Sequence, residues 1–131
     1  MSNPVPVFPD VENAMLYALV PLEPDIRFVT ILPAGGYDGI IARVHRIAGA
    51  NRNIQVDRPI VDVDVFGPKA QAGNVSAAAR NIQSDLLSLM GKKVTNGVII
   101  HVTTTAGPRS LPEVNPDLVR YSATYEISIH P

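Results

Sequence analysis

The chain has 131 residues, of which 46% are hydrophobic, and this is enough for one domain with a single core. It has no Cys, so disulfides, thiolate catalysis and zinc–thiolate sites are excluded. A net charge of −1 and an aromatic content of 5% argue against a broad nucleic-acid-binding surface and against base-stacking platforms.

The first nine residues carry three prolines and predict an irregular N-terminal arm. They have neither the charged start nor the apolar run of a signal peptide, and no segment approaches the roughly 20 apolar residues that span a bilayer. We therefore expect a soluble protein, made in a cytoplasm, with no membrane partner. A short helix follows, which Asp10 caps and Pro21 ends, with an apolar stripe formed by Val11, Met15, Ala18 and Leu19.

Two strands, each followed by a turn, are predicted after this helix. The first covers residues 27–32 and is closed by a turn at Pro33 and Gly35-Gly36. The second covers residues 39–48 and leads into a turn at residues 49–53, where glycine and asparagine predominate.

The third strand, residues 60–66, has the strictest alternation in the chain. Its apolar side is formed by Val61, Val63 and Val65, and its polar side by Asp62 and Asp64. A Gly67-Pro68 break separates it from an amphipathic helix over about residues 70–90, which Gly91 caps and Lys92-Lys93 follows. The apolar stripe of that helix is formed by Val75, Ala78, Ala79, Ile82, Leu86 and Leu89. This strand and this helix together predict a sheet with one apolar face, which the helix covers.

The C-terminal part predicts a strand at residues 98–105, a loop at 106–117 and a last strand at 118–130. The loop holds three prolines and is long for a compact domain, so we expect it to be functional or to contact a partner. The order α-β-β-β-α-β-β with short links predicts a single α+β domain over residues 1–131. Its architecture is a two-layer sandwich in which a mostly antiparallel sheet carries both helices on one face.

Two amphipathic helices cover only one face of such a sheet, so the other face must be solvated or meet another subunit. That face carries Arg43, His45, Asp62, Asp64, Ser122, Thr124 and Glu126. The neighbouring region mixes Arg43, Arg46, Arg52 and Arg58 with Asp57, Asp62 and Asp64. Mixed charges of this kind suit subunit pairing better than nucleic-acid binding.

No catalytic, cofactor or metal site is predicted. Asp62 and Asp64 have the spacing to share one metal ion, but the polar side of an alternating strand is the favoured interpretation. The three histidines, His45, His101 and His130, lie on different strands without ligand spacing, and no phosphate-binding loop or nucleophile elbow is present. These patterns favour a protein that works through its surfaces.

The order of these segments resembles the tail terminator, or tail completion, proteins of long-tailed bacteriophages, over about residues 11–129. A short helix, VENAMLYAL, leads to RFVTILPAGG and then to the basic strand and turn ARVHRIAGANRN. The alternating strand PIVDVDVFG precedes the helix SAAARNIQSDLLSL. The strand GVIIHVTTTAGP, the proline-rich loop and a final strand beginning RYSATYEIS complete the resemblance.

The resemblance implies a non-enzymatic virion protein that forms a hexameric ring at the head-proximal end of the tail. Such a ring stops polymerisation of the tail tube protein and offers a docking surface to head-completion proteins, and DNA only passes through its lumen. The residues expected at contacts with other subunits or proteins are Arg43, His45, Arg46, Arg52, Asp62, Asp64, Arg109, Glu113 and Glu126.

Two alternatives stay open at this point. One is another head–tail connector, such as a stopper, or a minor tail protein. The other is a small ligand-binding or enzymatic α+β domain, with a pocket near His45 and the Asp62/Asp64 pair.

Overall fold

The computed structural model describes residues 7–34 and 38–131. In chain order these residues form α1 (Val11–Leu19), β1 (Ile26–Val29), β2 (Ile40–Asn51), β3 (Asp57–Pro68), a 3-10 turn (Lys69–Gln71), α2 (Ala72–Leu87), β4 (Lys93–Val94), β5 (Gly97–Leu111) and β6 (Leu118–His130). The predicted arm at residues 1–9 is described only from residue 7 on, where the chain has no regular structure. The predicted Gly35-Gly36 turn lies outside the described residues.

The strands in the described part of the chain form one sheet of six, in the order β1-β2-β3-β6-β5-β4. β1 runs parallel to β2, and the other four pairings are antiparallel. The predicted α+β class with two helices is therefore confirmed. The predicted two-layer sandwich with five strands is wrong, because the sheet is mixed and curls into a half-barrel.

β-Bulges explain the curl of the sheet. They lie at Arg46/Ala48 in β2 and, in β5, at Ile99/His101, Thr104/Ala106 and Ala106/Arg109. Each bulge adds one unpaired residue to its strand, which bends the strand and increases its twist. Because β2 and β5 flank the central β3–β6 pair, the sheet bends on both sides of its centre.

Both helices pack on the same face of the sheet, as the apolar stripes predict. α1 buries Val11, Ala14, Met15 and Leu19, and α2 buries Val75, Ala78, Ala79, Ile82 and Leu86. The facing side of the sheet is formed by Ala42, Val44, Val61, Val63, Val65, Ile99, Val102, Ala123, Tyr125, Ile127 and Ile129. The Asp10 side chain accepts hydrogen bonds from the Glu12 and Asn13 N–H groups and so caps α1 as predicted.

The turn after α2 is wider than predicted. The helix ends at Leu87, so Gly91, with φ +81°, lies in the turn beyond the helix rather than at its cap. The Gly91 N–H donates to the Ile99 carbonyl at 2.7 Å, and the Ile99 N–H donates to the Lys92 carbonyl at 3.0 Å. Lys93, expected as a cap charge, therefore belongs to the short edge strand β4.

Both long hairpins extend further than predicted. β2 and β3 stay paired as far as Asn51 and Asp57, which leaves residues 52–56 as the turn. The predicted loop at 106–117 is wrong in its first half, because residues up to Leu111 pair with β6 and only residues 112–117 connect the strands. Pro108 is tolerated because it lies at a bulge, on a part of β5 that β4 does not pair.

Candidate interaction surface

The cross-strand register lines up polar side chains on the sheet face away from the helices, called the outer face below. One row across the sheet consists of Arg43, Asp64, Ser122 and Arg109. The next consists of Arg27, Ile41, Phe66, Arg120 and Leu111. On the other side of the first row lies a row of His45, Asp62 and Thr124. The predicted outer face therefore exists, and its charges are unevenly distributed.

Asp64 lies at the centre of an ion network, and its side chain is 0% exposed. Arg43 donates to Asp64 Oδ2 from Nη2 at 2.6 Å and from Nε at 3.2 Å. Arg120 Nη2 at 3.0 Å and Ser122 Oγ at 2.6 Å donate to Oδ1. His45 Nε2 lies 3.4 Å from Oδ2. The carboxylate is therefore saturated from within the chain and does not reach the surface.

Burial by itself raises the pKa of Asp64, but the hydrogen bonds from Ser122, Arg43 and Arg120 outweigh it and hold that pKa below its usual value. The group is therefore ionised across the physiological range. One negative charge is shared between two guanidinium groups, so the network as a whole is positive.

The Phe66 ring lies beneath the guanidinium groups of Arg43 and Arg120. It is buried on the outer face, and the Arg43 and Arg120 guanidinium carbons lie 5.9 Å and 5.8 Å from its ring centroid. Cations at this distance from a ring are attracted by its quadrupole. The side chains of Arg43 and Arg120 keep 26% and 27% of their surface exposed. Arg43, Asp64, Phe66, Arg120 and Ser122 are called the arginine cluster below.

Asp62, two residues from Asp64 on the same strand, has a different environment. It is only partly buried and accepts one hydrogen bond, from Thr124 Oγ1 at 2.6 Å. His45 is its cross-strand neighbour on β2. One row further, Glu126 Oε1 lies 3.9 Å from Arg58 Nε, and both of these side chains are solvated. This end of the outer face mixes both signs of charge, as predicted.

Arg46 lies apart from this surface, opposite Val61 on the helix side of the sheet. Its guanidinium binds both oxygens of the buried Asp57, at 2.7 Å and 3.1 Å, and donates to the carbonyls of Ala48 and Gly49. Its backbone N–H donates to Glu12 Oε2 at 2.8 Å. Arg46 therefore ties the β2–β3 hairpin to α1, and the structure does not bring it together with Arg43.

The remaining predicted contact residues lie on the β5–β6 side and at the hairpin turns. Arg109 is exposed and donates from Nη1 to the Ser122 carbonyl at 3.2 Å, beside the arginine cluster. Arg52 lies in the exposed turn between β2 and β3, and Glu113 lies in the turn between β5 and β6.

These two turns lie at opposite ends of the sheet, because β3 and β6 run antiparallel and the start of one pairs with the end of the other. Each turn is ordered by an asparagine side chain, Asn53 accepting from the Gln55 and Val56 N–H groups and Asn115 from the Asp117 N–H. Each also presents a large aliphatic residue to solvent: Ile54 is 60% exposed and Val114 is 98% exposed.

Sequence reasoning missed Phe66 and Arg120, although the signal was available. Phe66 continues the alternation of Asp62 and Asp64, and Arg120 continues that of Thr124 and Ser122. Both residues lie near the ends of their predicted strands. Next to a predicted turn, alternation no longer shows which face of the sheet a side chain is on.

Within residues 7–34 and 38–131, no three His, Asp or Glu side chains group closely enough to hold a metal ion. No helix of the described residues is long and apolar enough to cross a bilayer.

No protein-family model matches the sequence, and no curated protein matches it either. Among solved structures, a chain from the virion of a native gene transfer agent particle is similar, with a TM-score of 0.59 and 12% sequence identity. The similarity covers 87% of this chain and 84% of that chain. At this identity the likeness shows the fold: nearly the whole chain has an α+β architecture that is also found in a chain of the gene transfer agent virion.

Proposed function

We propose that this chain is a structural subunit of a phage-like virion, of the tail terminator type. In this role it forms a hexameric ring at the head-proximal end of the tail, ends the polymerisation of the tail tube and provides the docking surface for a head-completion protein. The chain is not an enzyme, takes no cofactor, and meets DNA only as cargo that passes through the ring.

The observation that carries the proposal is the pair of hairpin turns at opposite ends of one sheet. A subunit that joins a tube to a head needs two separate contact surfaces facing in opposite directions. The β2–β3 turn presents Ile54 with Arg52, and the β5–β6 turn presents Val114 with Glu113. Exposed aliphatic residues on ordered turns suit protein contacts, and the different charges of the two turns suit two different partners.

The similarity to a chain of a gene transfer agent virion supports the same proposal. The fold recurs in a virion particle, and the similarity spans most of both chains. The amphipathic sheet supports it further, since helices cover one face and a charged outer face is left for neighbouring subunits.

Deletion of the gene from the genome that encodes it tests the proposal. Loss of a terminator leaves tail polymerisation unchecked, so electron microscopy should show overlong or headless tails. Full-length tails with unstable heads would assign the chain to a stopper or another connector instead. Normal particles in normal numbers would contradict both assignments.

Substitutions at the two turns make the test sharper. Ile54→Asp and Val114→Asp are a matched pair, because each places one charge on an exposed aliphatic residue outside the core. We expect each variant to fold normally and to fail at one joint only, one giving tails without heads and the other giving tails of wrong length. If both variants restore infection to a deletion strain as well as the wild type does, the turns are not the contact surfaces.

A further inference from the structure

The arginine cluster lies at the end of the outer face that leads into the β5–β6 turn. Leu111 and Arg120 are the last paired residues of β5 and β6 before that turn, and Arg109 and Ser122 form the neighbouring row on the same face. Val114, which is 98% exposed, lies in the turn itself. The cluster is therefore next to one of the two proposed contact surfaces, at the same end of the sheet.

This end of the outer face has more positive charge than the chain itself neutralises. Arg43 and Arg120 share one carboxylate, that of Asp64. Arg109, beside them, forms no salt bridge with any described residue. Three guanidinium groups against one buried aspartate leave a net positive surface, which is complementary to a negatively charged partner.

The two central arginines keep donors that Asp64 does not use. Arg43 binds Asp64 through Nε and Nη2, and Arg120 binds it through Nη2. Among the described residues, no hydrogen bond from Nη1 of either side chain is present, and both side chains are partly exposed. Asp64 and Phe66 hold both guanidinium groups in place, so little side-chain entropy remains to be lost when a partner binds. Ordered arginines of this kind are typical of interface hot spots.

We infer that the arginine cluster and Arg109 bind an Asp or Glu side chain of the protein that docks on the β5–β6 turn. The inference rests on the proposed function and adds the chemistry of one partner at one joint. A guanidinium presents its donors as a planar fork that matches a carboxylate. The partner segment therefore carries one or two carboxylates beside an apolar group that covers Val114.

The small size of the positive area favours a protein carboxylate over a nucleic acid. Asp62 lies on the neighbouring row at one side of the cluster, and Glu113 and Asp117 lie in the turn at the other side. A nucleic acid carries a negative charge at every phosphate, so its backbone would pass over these carboxylates and be repelled by them. A protein segment can place one or two carboxylates on the arginines and uncharged or basic groups at both sides.

Photo-crosslinking in assembled particles tests the contact. Leu111 lies on the same row as Arg120 and is only partly buried, so benzoylphenylalanine in its place leaves all three arginines intact. Ultraviolet irradiation of purified particles, followed by mass spectrometry, should show a cross-link to a different virion protein, within a segment that contains Asp or Glu. Cross-links to DNA, to a second copy of this chain or to a segment without a carboxylate would overturn the inference, and so would the absence of any cross-link.

Charge exchange between the two proteins supplies the decisive measurement. Arg109→Glu reverses an exposed charge beside the cluster and should weaken binding of the cross-linked partner about tenfold, measured by calorimetry at low salt. Replacement of the partner's cross-linked carboxylate by Lys should weaken binding of the wild-type chain to a similar extent. The two reversed proteins together should recover most of the lost affinity, and an affinity that stays low would contradict the proposed pairing.

Arg80→Glu is the matched control for this series. It makes the same charge change at an exposed site of α2, in the helix layer on the other side of the sheet. We expect it to leave the affinity for the partner unchanged. An equal loss for Arg80→Glu and Arg109→Glu would mean that only the net charge of the chain matters, which would contradict a contact at the cluster.

Failure of this contact is distinguishable from failure of the proposed function. If deletion of the gene gives overlong or headless tails but Arg109→Glu binds the partner as the wild type does, the terminator role stands and the cluster is not the contact. If deletion of the gene leaves particles normal, the role itself is wrong whatever the cluster binds.

Discussion

Asp62 and Asp64 point from the same strand to the same face of the sheet, yet their surroundings differ completely. Asp64 is buried and accepts four hydrogen bonds from Arg43, Arg120 and Ser122. Asp62 is partly exposed and accepts one, from Thr124. Alternation in a sequence therefore identifies the face of a residue but not its depth on that face. One aspartate organises the arginines that a partner would meet, and the other belongs to the solvated surface.

The largest expected difference is between removal of one carboxylate and removal of the other. Asp64→Ala leaves two half-buried guanidinium groups without their counter-ion, so we expect it to lower the free energy of unfolding by about 3 kcal/mol. Asp62→Ala loses one partly solvated hydrogen bond and should lower it by less than about 1 kcal/mol. Urea denaturation of both variants measures the difference, and equal losses would contradict the burial of Asp64. A charge reversal of both aspartates together would therefore unfold the monomer rather than report on assembly.

Removal of the hydroxyl group that donates to each aspartate gives the same comparison, with smaller expected losses of stability. Ser122→Ala removes a donor to a buried charge and should cost about 1.5 kcal/mol. Thr124→Val removes the corresponding donor to Asp62, where water can replace it, and should cost roughly 0.5 kcal/mol. Chemical denaturation under identical conditions provides the measurement. A larger loss of stability for Thr124→Val than for Ser122→Ala would contradict the greater burial of Asp64.

A third comparison is between an aromatic and an aliphatic side chain at position 66, beneath the two arginines. Phe66→Leu keeps an apolar residue at the site but removes the ring quadrupole beneath Arg43 and Arg120. We expect a loss of about 1 kcal/mol, part from the cation–π contacts and part from volume. The matched control is Phe66→Leu in an Arg43→Met, Arg120→Met background, where the cation–π part should vanish. If the loss is the same in both backgrounds, Phe66 acts through packing alone.

The smallest expected effect is on the pH dependence of stability. Because the folded pKa of Asp64 lies below its ordinary value of 3.8, the ionised network stabilises the protein above that value. That contribution is lost as the pH falls through the lowered folded pKa. Thermal unfolding followed from neutral to acidic pH should therefore show a steeper acid loss in the wild type than in Asp64→Asn. Parallel curves would show that Asp64 is not held ionised by its neighbours.

Much of the fold could be predicted from local patterns. The Asp10 cap, the apolar stripe of α2 and the alternation of β3 each depend on residues close in sequence, and each has its predicted counterpart in the structure. The half-barrel could not be predicted in the same way, because it depends on bulges that show no composition signal and shift the alternation by one residue. The parallel pairing of β1 is likewise a long-range choice that no local pattern specifies.

The candidate surface was only partly predictable, for a related reason. Alternation placed Arg43, Asp62 and Asp64 correctly on the outer face. It could not show that Arg120, which follows Asp64 by 56 positions, would arrive beside it. Arg46 was grouped with Arg43 by its position in the sequence, whereas alternation with Ala42 and Val44 places it on the helix side, where it binds Asp57. Networks that join distant strands emerge from the register, which short-range patterns do not encode.

The copy number of this chain per particle tests most directly whether it forms a single ring in a virion, as we propose. Quantitative mass spectrometry of purified particles, calibrated against the major tail tube protein, gives that number. If the proposed role is right, the chain is present at the number of copies of one hexameric ring, far below that of the tube protein. Absence from the particles, or abundance equal to that of the tube protein, would contradict it.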